Sequence, residues 1–385
     1  ENKIKSVEKS MTKYKHPFGS KTYCTKAFTN IFTDAVNRYR LCADAGITKE
    51  LKDMNMETTN PLDYFYSPEM DEVRKKMVEG KYISGCEVCY EQESKTGWSY
   101  RQDHMRKIDD YGLTEFPTTP LKPGLKTRLI GTKCNLGCYM CRAYDSSTRR
   151  MELSQANLWD MWRDLGIKEY ENTRVRNIGQ TRHKEILKHL KDNETKIHMF
   201  RMCGGEPLLS DRMWEMCDQV SDEYAKEMKL FITTNLTELE YKGHSIHKLA
   251  EKFECLQLEV SCDHYGDKLK WIRYPIDVDK FEENLYRMKP YITHMQCTVS
   301  ILNIFDLKEI EEYYKDNFGL EVRWYALYSP SSLSIKNIPN KKDIKYIPTD
   351  EIKGELMKEE VPEELEKGYE YIKSLETHRG FKILT

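Results

Sequence analysis

From Lys126 to Tyr328 the chain alternates short apolar runs with longer amphipathic segments, and this rhythm narrows the fold more than any other feature. The runs are KTRLIG (126–131), IHMFRMC (197–203), KLFITTN (229–235), CLQLEVSCD (255–263), HMQCTVSIL (294–302) and LEVRWYALY (320–328). Between them, segments such as DRMWEMCDQVSDEYAKEMK and NIFDLKEIEEYYKDN place apolar residues three to four apart, as a helix requires. Strands that alternate with helices pair in parallel through right-handed crossovers. Six such units fall short of the eight in a closed barrel, so the expectation is an α/β fold, a partial (β/α)6 open TIM-like barrel. Its ligands belong at the carboxyl ends of the strands.

The flanks read differently. Residues 1–125 hold turns and short aromatic stretches and end in FPTTPLKPG (116–124), whose prolines and glycine favour an extended connector. The expected division is therefore 1–125, a barrel at 126–330, and a C-terminal loop and helix at 331–385. The last of these carries one acidic amphipathic helix around EIKGELMKEEVPEELEKGYEYIKSLETH. A long link between the first two strands contains TRVRNIGQTRHKEILKHLKDN, which is basic but has no interleaved aromatic platform. That composition reads as a solvated helix face and argues against nucleic-acid contact.

Sixty-one basic and 63 acidic residues give a net charge of -2, so no global field draws the chain to nucleic acid or anionic lipid. No uncharged apolar run reaches the roughly 18 residues of a spanning helix, and the start ENKIKSVEKS lacks the apolar stretch of a signal peptide. A cytoplasmic address without membrane contact is the expectation; the missing initiator Met leaves room for a trimmed upstream segment.

In a reducing compartment clustered thiols bind metal more often than they form disulfides, and seven of the 12 cysteines are clustered. Cys203, Cys217, Cys255, Cys262 and Cys297 are scattered and read as small buried hydrophobes. Cys134, Cys138 and Cys141 fall within eight positions as C-x3-C-x2-C, in GTKCNLGCYMCRAY. A structural zinc wants four protein ligands, and no fourth stands nearby. Three thiolates on a [4Fe–4S] cube leave one iron open to a small molecule.

One strand later comes CGGEP (203–207). Its glycines allow close backbone approach, and Glu206 offers an acceptor to an ammonium group. The triplet and this turn, in this order over about residues 126–328, resemble the radical S-adenosylmethionine enzymes. The resemblance implies a [4Fe–4S] cluster on Cys134, Cys138 and Cys141, with Tyr139 at the family's aromatic position. It implies that Gly204, Gly205, Glu206 and Pro207 hold the methionine end of S-adenosylmethionine. Thr234, Asn235, Ser261, Asp263 and Arg273 stand where the family binds the rest of the cofactor, although Asn235 also reads as a helix cap and Arg273 as a salt-bridge partner. The implied chemistry is reductive cleavage to methionine and a 5′-deoxyadenosyl radical that abstracts hydrogen from a substrate. An external electron donor such as a flavodoxin or ferredoxin is implied with it. No catalytic acid or base is singled out.

Cys24 and Cys42 bracket a hairpin, and Cys86 and Cys89 add a C-x2-C pair. Four thiolates fill either a tetrahedral zinc or a complete second cubane. This stretch resembles the twitch or SPASM auxiliary-cluster module, with Asn37 where the pattern has glycine. It departs from that pattern in preceding the barrel, and its four cysteines suffice for one auxiliary [4Fe–4S] cluster. Glu91, Glu93 and Arg101 read equally as substrate-side groups or as a salt-bridged helix start. On the sixth strand, Arg323, Trp324 and Tyr328 are further candidates. The expected substrate is a peptide or protein side chain, or a small metabolite; the competing reading is a zinc- or iron–sulfur-binding interaction or RNA-associated protein without radical catalysis.

Overall fold

In the computed structural model, which describes residues 17–34, 36–106, 108, 113–127, 129–165 and 178–383, the chain divides into two units. One comprises the described residues up to 127 together with 178–200, the other 129–165 and 201–383.

In the first unit, β1 (Asn30–Thr33) pairs antiparallel with β2 (Tyr39–Arg40) and parallel with β3 (Gly124–Thr127). Asp34 ties the hairpin: its Oδ1 accepts from the Val36 and Arg38 amides, and its Oδ2 from the Nε of Arg38 and of Arg40. Asn37 completes the turn in the left-handed region at φ 66°, which asparagine tolerates better than other side-chain-bearing residues. The longer helices of this unit are Pro68–Val78, Glu87–Thr96, Tyr100–Arg106 and Gln180–Asp192. The last belongs to the basic link and is not a wholly solvated face. His183, Ile186, Leu187 and Leu190 are buried, and the Arg182 Nε donates to the Met56 carbonyl at 2.8 Å. The start of that basic stretch, 173–177, lies outside the described residues.

Strand β4 (Met199–Met202) begins in the first unit and ends in the second. There β5 (Lys229–Thr234), β8 (Cys255–Ser261), β9 (Ile292–Val299) and β10 (Val322–Ala326) form a parallel array in the order β10-β9-β8-β5-β4. A small antiparallel ribbon, β6 (Glu240–Tyr241) and β7 (His244–Ser245), lies in the crossover after β5. The alternation along β8 sends Leu256, Leu258 and Val260 to one fully buried face and Gln257, Glu259 and Ser261 to the other. The helices between these strands bury apolar stripes, among them Phe281, Leu285 and Met288 of Val278–Met288 and Leu307, Ile310, Tyr314 and Phe318 of Leu307–Phe318. Asp277 caps the first through the Lys280 amide; Gly319, at φ 66°, ends the second. This is an α/β fold with a mostly parallel sheet.

All six expected strands are present, each shorter than its apolar run. The first differs most: it covers Gly124–Thr127, and Leu129–Ile130 form a turn instead of its end. The carbonyls there are taken by side chains, Ile130 O by the Ser210 hydroxyl at 2.6 Å and Leu129 O by Arg212 at 3.4 Å. The tail also differs from expectation, being two helices, Asp350–Leu356 and Pro362–Arg379. Pro362 has no amide hydrogen to continue the first and suits the first turn of the second.

Candidate functional site

The loop that carries Cys134, Cys138 and Cys141 has no regular structure of its own, so its shape comes from tethers. The Cys134 amide donates to the Ser147 hydroxyl at 3.1 Å, and Ser147 and Thr148 return hydrogen bonds to the Cys134 carbonyl at 3.1 and 2.6 Å. Ser146 donates to the Leu136 carbonyl while capping the helix Ser147–Gln155 through the Arg149 amide. On the other side the Gly137 and Tyr139 amides donate to the carbonyls of Tyr274 and Ile272. All three thiols are half-buried. Burial pushes Cys138 up to about 12, against the pull of the Arg273 guanidinium. Burial, then the neighbouring Cys138 thiol, drives Cys134 higher. Three thiols on one tethered loop suit a cluster, and loading it displaces their protons.

The turn after β4 is built against that loop. Gly204 and Gly205 have φ of 100° and 54°. A Cβ on Gly205 would stand 2.4 Å from the Lys133 carbonyl oxygen, and the Glu206 amide donates to that same oxygen at 2.7 Å. Glycine is therefore required both by conformation and by space. The buried Glu206 carboxylate accepts from the Leu208 amide at 3.1 Å, the Thr234 hydroxyl at 2.7 Å and the Asn235 amide at 2.7 Å. Burial nonetheless pushes its carboxyl up to about 7. Pro207 opens the short 3-10 turn Pro207–Leu209. Asn235 reaches further, from its Nδ2 to the Asn135 side-chain oxygen at 3.0 Å, so the end of β5 is sewn to the triplet loop.

The remaining expected residues have more specific settings. Asp263 and Arg273 form a buried ion pair at 2.8 Å, with the Arg273 Nη1 3.8 Å from the Cys138 sulfur. Asp263 also accepts from the Thr298 amide. Tyr139 is fully buried, its hydroxyl 2.5 Å from that of Ser300. Ser261 is half-buried at the end of β8.

Sequence reasoning missed Arg379, at the end of the last helix. It donates to Gly137 O at 2.6 Å, to Trp271 O, and to both carboxylate oxygens of Glu152. Its chain-end position carries no motif; the only hint was a cation in a last helical turn. Also missed were Arg201, Glu259 and His294, whose signal was a charged or ionisable residue inside each of three strands of a parallel sheet.

In the first unit Cys24, Cys42, Cys86 and Cys89 line one cavity of about 430 Å³ including its open mouth. Lys26, Asp44, Arg101 and His104 also line it. Burial, followed by the neighbouring Cys42 thiol, pushes Cys24 up to about 11; burial, then Asp44, takes Cys42 to about 12. Among the described residues no three Cys, His, Asp or Glu side chains converge as ligands of one metal ion. Four thiols around one cavity could hold either a zinc or a cubane. Arg101 and Glu93 are engaged with each other through a bidentate pair, and Arg101 also donates to the Tyr23 carbonyl at 3.0 Å. Glu91 is exposed. Trp324 is buried, on the face opposite Arg323 and Tyr325, and the Tyr328 hydroxyl bonds Glu351.

Residues 129–316 match the family model described as the Radical SAM superfamily, a span that contains the triplet and the GGEP turn. The match supports that superfamily for this segment, and with it a [4Fe–4S] cluster and S-adenosylmethionine. Among solved structures, native anSMEcpe with bound AdoMet is 19% identical, covering 53% of this chain and 51% of that one at a TM-score of 0.35. Streptococcus suis SuiB bound to precursor peptide SuiA is 14% identical, covering 73% and 51% at a TM-score of 0.36. This chain thus spans about half the length of either structure. A comparison with curated proteins finds no match. No helix among the described residues is long and apolar enough to cross a membrane.

Proposed function

We propose that this chain is a radical S-adenosylmethionine enzyme, a partial barrel preceded by a twitch-like auxiliary module, that abstracts hydrogen from a substrate. The observation that carries this reading is the joint between the triplet loop and the GGEP turn. Glu206 and Gly205 close directly on Lys133, the residue before the first thiol, so a ligand of the open iron and a ligand of Glu206 can be one molecule.

Cys134, Cys138 and Cys141 would hold the cluster, and Glu206 with the Gly204–Gly205 backbone the amino-acid end of S-adenosylmethionine. Bound there, the reduced cluster supplies the electron that cleaves the sulfonium. The chain's own part is orientation. Thr234 and Asn235 fix the Glu206 carboxylate, and the Arg273–Asp263 pair sets a positive charge beside Cys138 that favours its thiolate. The four thiols of the first unit would hold an auxiliary [4Fe–4S] cluster that passes an electron.

The test is anaerobic reconstitution with iron and sulfide, reduction, and addition of S-adenosylmethionine. The expected result is broad iron–sulfur absorption and formation of 5′-deoxyadenosine, abolished in Cys138→Ala. Bound zinc without cleavage would reject the reading.

A further inference from the structure

One face of the second unit's sheet is polar where a parallel sheet is ordinarily apolar. Arg201 on β4, Thr233 on β5, Glu259 on β8 and His294 on β9 form a row across four neighbouring strands, Thr233 in register with Glu259 and Glu259 with His294. The Arg201 Nη1 lies 2.6 Å from both Glu259 oxygens, and the Thr233 hydroxyl donates to Glu259 Oε2 at 2.8 Å. The Arg201 guanidinium also lies over the Phe231 ring, 4.6 Å from its centroid. Gln257, Ser261, Gln296, Thr298 and Tyr325 continue this face and are half-buried, and Arg323 is exposed. The opposite face, with Leu230, Ile232, Leu256, Leu258, Met295 and Val299, is closed. Half-buried polar groups mark a face that is not packed as an apolar core.

Arg201 is the group there built to hold something. Its side chain is 25% exposed although one nitrogen is locked onto Glu259 and its plane rests on Phe231. The pair uses Nη1 alone, so the Nε and Nη2 edge presents donors in the geometry that carboxylates and phosphates match. Glu259 beside it limits the negative charge the site can take, which favours a monoanion over a phosphate dianion. Arg201 stands three residues before Gly204, about 10 Å along the strand from the GGEP turn.

We propose that Arg201, held in place by Glu259 and Phe231, binds a carboxylate of the substrate, so that the enzyme acts on a molecule with a free carboxylate. This rests on the radical enzyme reading for its purpose but not for its chemistry, since the anchor consists of side chains alone.

The experiment compares N-acetylglycine, N-acetylphenylalanine and their amides for binding to the reconstituted full chain by ligand-observed NMR. Aminomethylphosphonate serves as the phosphate-like arm. The expected result is at least a tenfold preference for acid over amide in the wild type. That preference falls to less than twofold in Arg201→Gln and partly returns in Arg201→Lys. Because Arg201→Gln strands a buried carboxylate, Arg201→Gln/Glu259→Gln is measured beside it and loses the preference equally. Equal binding of acid and amide, no binding of any probe, a preference for the phosphonate, or a preference that survives in the double variant would overturn the proposal. Failure of 5′-deoxyadenosine formation in the wild type with the acid preference intact would instead remove the radical reading and leave the anion site standing.

Discussion

Arg379 and Gly137 are 242 residues apart in sequence, yet the guanidinium of the one donates to the carbonyl oxygen of the other at 2.6 Å. Gly137 sits between the first two thiols of the triplet, so the final turn of the helix Pro362–Arg379 holds the triplet loop. The same side chain is fully buried and pairs with Glu152, which Arg149 also contacts. Arg379→Met removes the donors and breaks a buried pair, at a cost of about 3 kcal/mol, the lower end of the usual range because Arg149 keeps Glu152 partnered. Urea unfolding of the metal-free chain measures that loss, and iron analysis after reconstitution should show the triplet cluster depleted while the auxiliary one is kept. Full occupancy of both would mean that the loop holds its shape without Arg379.

The proposed pair of clusters, one on the triplet and one on the four thiols of the first unit, predicts a simple stoichiometry. The wild type should hold about eight irons per chain, and about four each when Cys134, Cys138 and Cys141, or instead Cys24, Cys42, Cys86 and Cys89, are changed to alanine. S-adenosylmethionine should alter the EPR spectrum of the second variant and not of the first. Zinc in the first unit would appear as four irons in the wild type with no change on removing the four cysteines.

Glu152 gives the second unit a pH dependence with a definite sign. Burial raises its carboxyl, but Arg379 and Arg149 outweigh that and hold it below the ordinary carboxylate range. A group with a depressed folded value contributes fully above its unfolded value, about 4.5, and loses that contribution as pH falls through the folded one. Unfolding free energy should therefore drop from about pH 4.5 downward, and the drop should be shallower in Glu152→Gln. Parallel curves for the two proteins would place the acid sensitivity elsewhere.

The strands, the triplet and the GGEP turn were legible because each is local. A period of two, a spacing of three thiols and a left-handed glycine pair are written within a few residues of one another. What stayed hidden depends on distance in sequence. Arg379 acts on a loop near the middle of the chain, and Arg201 finds Glu259 across an intervening strand. Asp263 reads as a cofactor-side group and Arg273 as either a cofactor-side group or a salt-bridge partner, and the fold pairs the two with each other beside Cys138. The acidic pattern of the tail runs on through Val361 and so reads as one helix, whereas the first helix ends at Leu356 and the second starts afresh at Pro362.

Gly205 offers the sharpest single-residue test of the joint between the two motifs. Its φ of 54° lies where a side chain is strained, and the atom that a Cβ would meet at 2.4 Å is backbone, the Lys133 oxygen, which cannot swing aside. Gly205→Ala must therefore move either the turn or the stretch that leads into Cys134. Because the Glu206 amide bonds the same oxygen, Glu206 moves with it. The expected outcome is a stability loss of about 1–3 kcal/mol together with at least tenfold weaker S-adenosylmethionine binding, read by calorimetry on the reconstituted protein. Iron content should stay within about a quarter of wild type, since the Cys134 backbone keeps its Ser147 and Thr148 tethers. Gly179→Ala, where nothing lies within 4 Å of the added carbon, serves as the comparison for nucleotide binding. If Gly205→Ala bound the nucleotide as tightly as that control, the close approach of turn and loop would have no part in holding it.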